Sequence, residues 1–467
     1  MQSSESSSSP NKPAAQKPRQ PLSARKLPQC QKPAASEAGL SALWVTLIWM
    51  LRLLVGGVFI LSGFAKMADL WGFVFKIEEY LAVWDFVQPR SVVFIVAMLI
   101  SGYEFVLGTL LAMGCYKRVA PAGLLLSMVV MLPLSLYLWV ADPVSDCGCF
   151  GDMWKISNGA TFFKNLLITA ALILLLIYNG RLRQSVFNPE IQWIVGAIIS
   201  GYILIVGLYG YNAQPMVDFR PYPVGTAVST GAEDDESEDD FLFVYERQGA
   251  RREFAIDEIP EDTAWHFVER LPMPRQVSGS DIVRVPFPAV FDDEGEEVTS
   301  DVIHTEGEQW VIVILEPKRA DVSFTYTLNE IAEQADSLGI PCVALLGSDT
   351  RGLRLWQDLS MPSYPCYVAD DTQLKELSRG TISLVILRDG VVASKTTISS
   401  MDASQLENPE SSAAFRDELQ GHGAQWFKWL TIATGALLLL IYLFQGIILV
   451  LRAKIRRAYR NKTSKKS

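Results

Sequence analysis

RLLVGGVFILSGFAKM (residues 52–67) decides what kind of protein this is. It belongs to an apolar run near 43–65 that carries a single early arginine, Arg52, and meets its next charge only at Lys66. About 17–25 apolar residues make a helix long enough to cross a hydrocarbon core of about 30 Å. Equivalent runs follow near 91–113, 119–140, 161–178, 192–210 and 427–451. The expectation is six membrane spans, the first five joined by short loops. More than two hundred mostly polar residues separate the last two.

Composition agrees with a membrane body carrying a polar domain: 467 residues, 49% hydrophobic and 20% charged. The net charge of −10 hides an asymmetry, because residues 213–425 hold 40 Asp/Glu against 16 Lys/Arg, a balance of −24. An acidic block of this kind argues against nucleic acid as a partner, since phosphate contacts need clustered cations. The first 40 residues are Ser/Pro/Lys-rich with no apolar core, so they read as a disordered basic tail and not as a signal peptide. Cys30 within it is incidental.

Orientation follows from the positive-inside rule. Lys12, Lys17, Arg19, Arg25, Lys26 and Lys32 precede the first span; Lys117 and Arg118 follow the second; Arg181 and Arg183 follow the fourth; RAKIRRAYRNKTSKKS closes the chain. Threading six spans puts all four segments on one side. Both termini are therefore expected in the cytoplasm of a multi-pass inner-membrane protein. Residues 213–425 and the loop 142–160 would face an oxidising periplasm, where thiols tend to pair.

That loop contains DPVSDCGCFGD (142–152). RLLVGGVFILSGFAKM resembles the first helix of the DoxX superfamily, and GYEFVLGTLLAMG (102–114) its second. The DCGCFGD run resembles the branch typified by the methylamine-utilisation protein MauE. The similarity covers roughly residues 45–180. It implies a membrane protein associated with disulfide formation or maturation of exported proteins.

The residues carry chemistry of their own. A Cys147–Cys149 disulfide would close a very small ring, and Gly148 between them supplies the backbone freedom for it. Strained disulfides are the labile, catalytic kind. Lys66 and Lys164 lie at a depth where they can favour a thiolate, while Asp146 and Asp152 oppose them. A redox-active pair, a static clasp and a soft-metal ligand set are the three readings. The only histidines, His266, His304 and His422, lie in no span, which excludes haem ligation by histidine in the bilayer; a closed zinc site lacks ligands.

Arg52 and Glu104 each fall near mid-helix, where an unpaired charge costs several kcal/mol. An Arg52–Glu104 ion pair is expected, either as a clip between helices or as a polar site for a quinone or proton. Residues 71–86 mix aromatic and charged side chains at helical spacing and suit an amphipathic helix at the interface.

Beyond the fifth span, residues 213–300 read as an acidic linker with a β-hairpin turning at Gln248-Gly249. Strands and helices then alternate: strands at 310–317 and 342–347, helices at 327–339 and 350–360, a short strand at 366–370, and a closing hairpin over 383–397. The pattern fits a thioredoxin-like α/β domain over 301–423. LSRGTISLVILRDGVV (377–392) resembles the C-terminal half of that fold, and FDDEGEEVTSDVI the lead-in of its TlpA/redoxin branch. The family's Cys-x-x-Cys is replaced by EPKRADVSF, and its cis-proline by Ile382, so the resemblance implies a domain without its own dithiol. Cys342 and Cys366, each after a proline, are candidates for a stabilising disulfide, or for a relay to Cys147 and Cys149.

The full domain reading is a tail over 1–40, a five-helix DoxX/MauE-like bundle over 41–212, the linker, the thioredoxin-like domain, a sixth span over 424–452 and a basic tail over 453–467. Functionally the chain reads as a thiol–disulfide membrane protein acting on an exported protein partner, with a membrane quinone as a candidate cofactor. The alternative is a non-catalytic assembly factor in which the cysteines are a clasp. A solute transporter is a third, though no inverted repeat is visible.

Overall fold

In a computed structural model, residues 35–86, 88–144, 147–178, 185–230, 241–247, 250–254, 266–272, 284–347, 350–401 and 423–464 are described. The chain divides into two compact units, Met1–Leu47 and Ile48–Ser467. Of the first, only the start of helix α1 is described, and the architecture below is that of the second.

Helices α1 (Ala35–Ala68), α3 (Arg90–Ala112), α4 (Val119–Ala141), α5 (Asn158–Tyr178), α6 (Gln192–Asn212) and α11 (Gly423–Ser464) contain the six apolar spans. The chain is a multi-pass membrane protein. The short helix α2 (Leu70–Val83) follows α1 directly, capped by Asp69, whose carboxylate accepts from Gly72 N at 3.0 Å. Its Leu70, Trp71, Phe73 and Val74 are buried, which anchors it at the bundle end.

Small residues set the register of α1 against α3. A Cβ at Gly56 would meet Gly108 O at 2.8 Å, and one at Gly63 would meet Phe105 N at 2.5 Å and Ser101 O at 2.6 Å. Close backbone approach of this kind is how helices associate in lipid, where no hydrophobic force separates apolar faces from their surroundings. It places Ser62 and Lys66 level with Glu104, and Arg52 level with Leu111. The loop after α5 is tied to α11 by Gln445, which donates to Val186 O at 2.7 Å and accepts from Asn188 N at 3.0 Å.

Between α6 and α11 lies a mixed sheet of eight strands with order β5-β1-β11-β10-β7-β8-β9-β6. Its middle is β7 (Glu308–Ile314), antiparallel to β10 (Ile382–Arg388) and parallel to β8 (Cys342–Gly347), which is parallel to β9 (Cys366–Ala369). Strand β11 (Val391–Thr397) forms a hairpin with β10. Trp310 to Leu315 are buried on both faces, as the unbroken apolar run WVIVIL requires. One face packs under α8 (Thr325–Ser337) and α9 (Thr350–Ser360), the other against Leu374 and Leu377 of α10 (Asp371–Leu377), with Phe75 of α2 beside it. The sheet's edges are β5 (Arg284–Pro286), with β1 (Ala227–Ser229) between it and β11, and β6 (Val290–Phe291), which is followed by the one-turn helix α7 (Thr299–Val302). A separate three-stranded sheet orders β3 (Ala250–Phe254), β2 (Phe241–Arg247) and β4 (His266–Pro272).

The parallel strands β7 and β8 point their carboxyl ends at the bundle. Glu316, just past β7, bonds Arg90 of α3 at 2.6 Å, and Arg90 also holds Glu78 of α2 at 2.8 Å. Cys342 and Cys366 sit at the opposite, amino ends of their strands and are free thiols, which corrects the expected disulfide. The register pairs Cys366 with Ala344, two residues beyond Cys342. One strand spacing sideways and two residues along gives roughly 8 Å between Cα atoms, against about 4.4–6.8 Å for a disulfide. The strand direction sets both thiols at the end of the sheet away from Glu316 and Gly347. About 17 Å of strand lies between Cys342 and Gly347 at about 3.3 Å per residue, and Gly347 is the end that meets α2 and α3.

Candidate functional site

Cys147 and Cys149 lie in the connection of the α4–α5 hairpin. Helix α4 ends at Asp142, whose left-handed backbone (φ 44°) turns the chain aside. Asn158, the first residue of α5, donates from Nδ2 to Asp142 Oδ1 and Val144 O, each at 2.9 Å, and closes the neck of the loop. Gly148 has φ 61°, a conformation that side chains disfavour, and a Cβ there would meet Lys76 Cγ of α2 at 2.6 Å. The carbonyls of both cysteines are held from below: Tyr80 of α2 donates to Cys147 O, and Ser62 of α1 lies 2.7 Å from Cys149 O.

The two sulfurs stand 2.9 Å apart. Cys147 is buried at 7% exposure and Cys149 is half-buried. The Cys147 thiol donating to Cys149 holds Cys149 down to about 6, against the cost of burial and with help from Lys164 and Lys66. The same hydrogen bond, together with burial, pushes Cys147 up. The pair is thus polarised toward a thiolate at Cys149.

Behind Cys149 lies a buried polar cluster. Lys66 Nζ is 2.7 Å from Glu104 Oε2, with side chains only 2% and 3% exposed. Ser62 Oγ is 2.8 Å from the same oxygen, so its one proton is shared between Glu104 and the Cys149 carbonyl. Lys164 of α5 rests 4.5 Å over the Phe150 ring. Ser62, Lys66, Glu104, Cys149, Lys164 and Asn165 line a cavity of about 30 Å³, roughly the space of one water molecule. Asn165 Nδ2 is buried there without a partner among the described residues.

The expected Arg52–Glu104 pair does not form. The α1–α3 register puts Arg52 about 15 Å along the helix from Ser62 and about 21 Å from Lys66, the two residues that take Glu104. Arg52 instead donates from Nε to Leu111 O at 3.3 Å and stacks 4.1 Å over Trp49. Asp152 bonds Arg379 of the sheet domain. Asp146 lies outside the described residues.

Arg379 forms a further contact between the sheet and the bundle. Its Nε and Nη2 bond both oxygens of Asp69 at 2.8–3.1 Å, and it bonds Lys375 O. Burial raises Asp69, but the Arg379 charge and hydrogen bonds outweigh it and hold the carboxyl below its usual range. Next to it, Asp218 takes Arg220 at 2.7 Å and Lys395 at 2.8 Å; burial and the repulsion of Arg220 lower Lys395 to about 7. Sequence reasoning did not find Ser62, Asn165, Asp69 or Arg379. Ser62 was within reach, since Arg52, Val55, Phe59, Ser62 and Lys66 recur every three or four residues on one face of α1.

A six-span bundle carrying an ordered Cys-Gly-Cys loop and an appended mixed-sheet domain defines the chain as a polytopic membrane protein with a dithiol at one end. Residues 44–178 match the family model of methylamine utilisation protein MauE, a match that spans α1 to α5 and includes the loop. Residues 240–271, the region of β2 to β4, match a domain of unknown function, DUF8463. No curated protein matches the chain.

Proposed function

We infer that the protein is a membrane thiol–disulfide exchange protein acting in the maturation of exported proteins, with Cys149 as the attacking thiolate and Cys147 as the resolving thiol. The observation that carries this reading is the geometry of the pair: sulfurs 2.9 Å apart, Cys147 buried, and Cys149 on the cavity that Lys66 and Lys164 line. A clasp needs no lysine beside it. The match to MauE over the loop-bearing helices supports the same class.

Cys149 S⁻ attacks one sulfur of a partner disulfide, forming a mixed disulfide and releasing the partner's other sulfur as a thiolate. Cys147, losing its proton, then attacks Cys149 Sγ. The Cys147–Cys149 bond forms, the mixed disulfide breaks, and the partner leaves as a dithiol after taking up protons. The partner gains two electrons and the pair loses two; the reverse sequence oxidises a partner, and the relative potentials set the direction. The positive-inside pattern supports a periplasmic site, and the sheet domain, whose strand order and connections resemble a thioredoxin-like fold without a dithiol, serves as the docking module. A membrane quinone stays a candidate electron partner, and no step is routed through it.

Equilibrating the detergent-solubilised protein in thiol/disulfide buffers, then alkylating and mass-mapping the cysteines, tests the reading. The expected result is a reversible two-electron transition confined to Cys147 and Cys149, with Cys115, Cys342 and Cys366 reduced at the same potentials. A pair that stays reduced in every buffer would favour the scaffold alternative.

A further inference from the structure

Arg379 bridges two carboxylates placed alike on the bundle: Asp69 lies three residues beyond Lys66, and Asp152 three residues beyond Cys149. One side chain of the sheet domain therefore grips the end of the helix that carries the lysine and the loop that carries the thiolate. The guanidinium is 3% exposed and planar, with donors spaced for carboxylates, a task a lysine performs poorly. Its own loop is rigid: Gln214, just past α6, accepts from Arg379 N at 3.1 Å and donates to Arg379 O at 2.7 Å.

We propose that Arg379 is a positioning residue for thiol exchange, fixing the Cys149 loop against the Lys66 helix through the two carboxylates that flank them. The inference rests on the thiol function proposed above. The charged groups around Cys149 come from four helices: Lys66 on α1, Glu104 on α3 and Lys164 on α5 act on its charge, and Lys76 on α2 packs over Gly148. Loss of Arg379 removes one positive charge and leaves Asp69 and Asp152 facing each other without it, and Asp69 already raises the cost of ionising Asp152. The burial of Asp152 pushes its carboxyl up even with the arginine in place. Arg379 thus makes the reactivity of the bundle thiol depend on the docked sheet.

The test is the pH dependence of Cys149 alkylation by iodoacetamide in the reduced full-length protein, read by mass spectrometry. Arg379→Gln is expected to move the half-point up by about one unit, an about tenfold fall in rate on the acid side. Arg379→Gln combined with Asp69→Asn and Asp152→Asn is expected to return most of that shift, because the uncompensated carboxylates are gone. Arg90→Gln, which opens the Arg90–Glu316 contact between sheet and bundle, is expected to leave the half-point in place. The proposal is overturned if Arg379→Gln gives the wild-type curve, if the triple variant fails to recover, or if Arg90→Gln produces the same shift. A wild-type Cys149 that titrates as an ordinary thiol would instead remove the function on which the proposal rests.

Discussion

Glu104→Leu is expected to destabilise the bundle by about 3–5 kcal/mol, because it leaves Lys66 buried and without its counter-charge. Inside a protein the loss of one partner costs more than the pair is worth, since the remaining charge can neither reach water nor neutralise cheaply. The double variant Lys66→Leu, Glu104→Leu removes both charges and is expected to recover most of that loss. Ser62 keeps the Cys149 carbonyl as its acceptor in either case. Thermal or denaturant unfolding in bicelles reads the difference. If the single and double variants were equally unstable, the pair would be an additive packing element and not a coupled ion pair. The same double variant separates fold from chemistry: it should insert and fold, yet lose the cation behind Cys149 and with it part of the thiolate's support.

The second large effect concerns the thiols. Cys149 is expected to alkylate with a half-point near pH 6, the value to which the Cys147 donor and the two lysines hold it. At neutral pH it would be mostly thiolate, whereas an ordinary cysteine, with a pKa of about 8.5, would be only a few per cent ionised. Cys147→Ala removes the strongest of those influences, the hydrogen bond, so the half-point should rise by about one unit or more. Cys147 itself, raised by the same bond and by burial, should stay unreactive until Cys149 is blocked or removed. A half-point near the ordinary value in the wild type, unmoved by Cys147→Ala, would show that the two sulfurs do not share a proton.

Much of the architecture was readable from pattern because lipid and sheet impose strong periodicities. Six apolar runs became six spans, and the β7–β8–β9 order with its closing hairpin followed from WVIVIL, CVALLG and SLVILR with helices between. The Cys-Gly-Cys loop was also visible, since two cysteines one residue apart have few bland explanations. What stayed hidden was register. Mid-helix position alone suggested Arg52 for Glu104, whereas the partner was set by which glycines of α1 meet which backbone atoms of α3. Cys342 and Cys366 looked alike in sequence, yet a two-residue offset between parallel strands holds them apart. Arg379 was invisible for a different reason: its partners are 310 and 227 residues away and lie on another domain. No local signal marks a contact of that span.

The central claim, that the loop pair is a working exchange centre led by Cys149, is tested most directly by trapping. In cells expressing Cys147→Ser, Cys149 can attack a partner but nothing can resolve the bond. The expected result is a reductant-sensitive adduct with an exported protein, seen on non-reducing gels and linked through Cys149 by mass spectrometry. Cys149→Ser should give far less. Absence of any adduct from Cys147→Ser, together with full function of the Cys147→Ser, Cys149→Ser double variant, would contradict the account and leave the pair as a structural clasp.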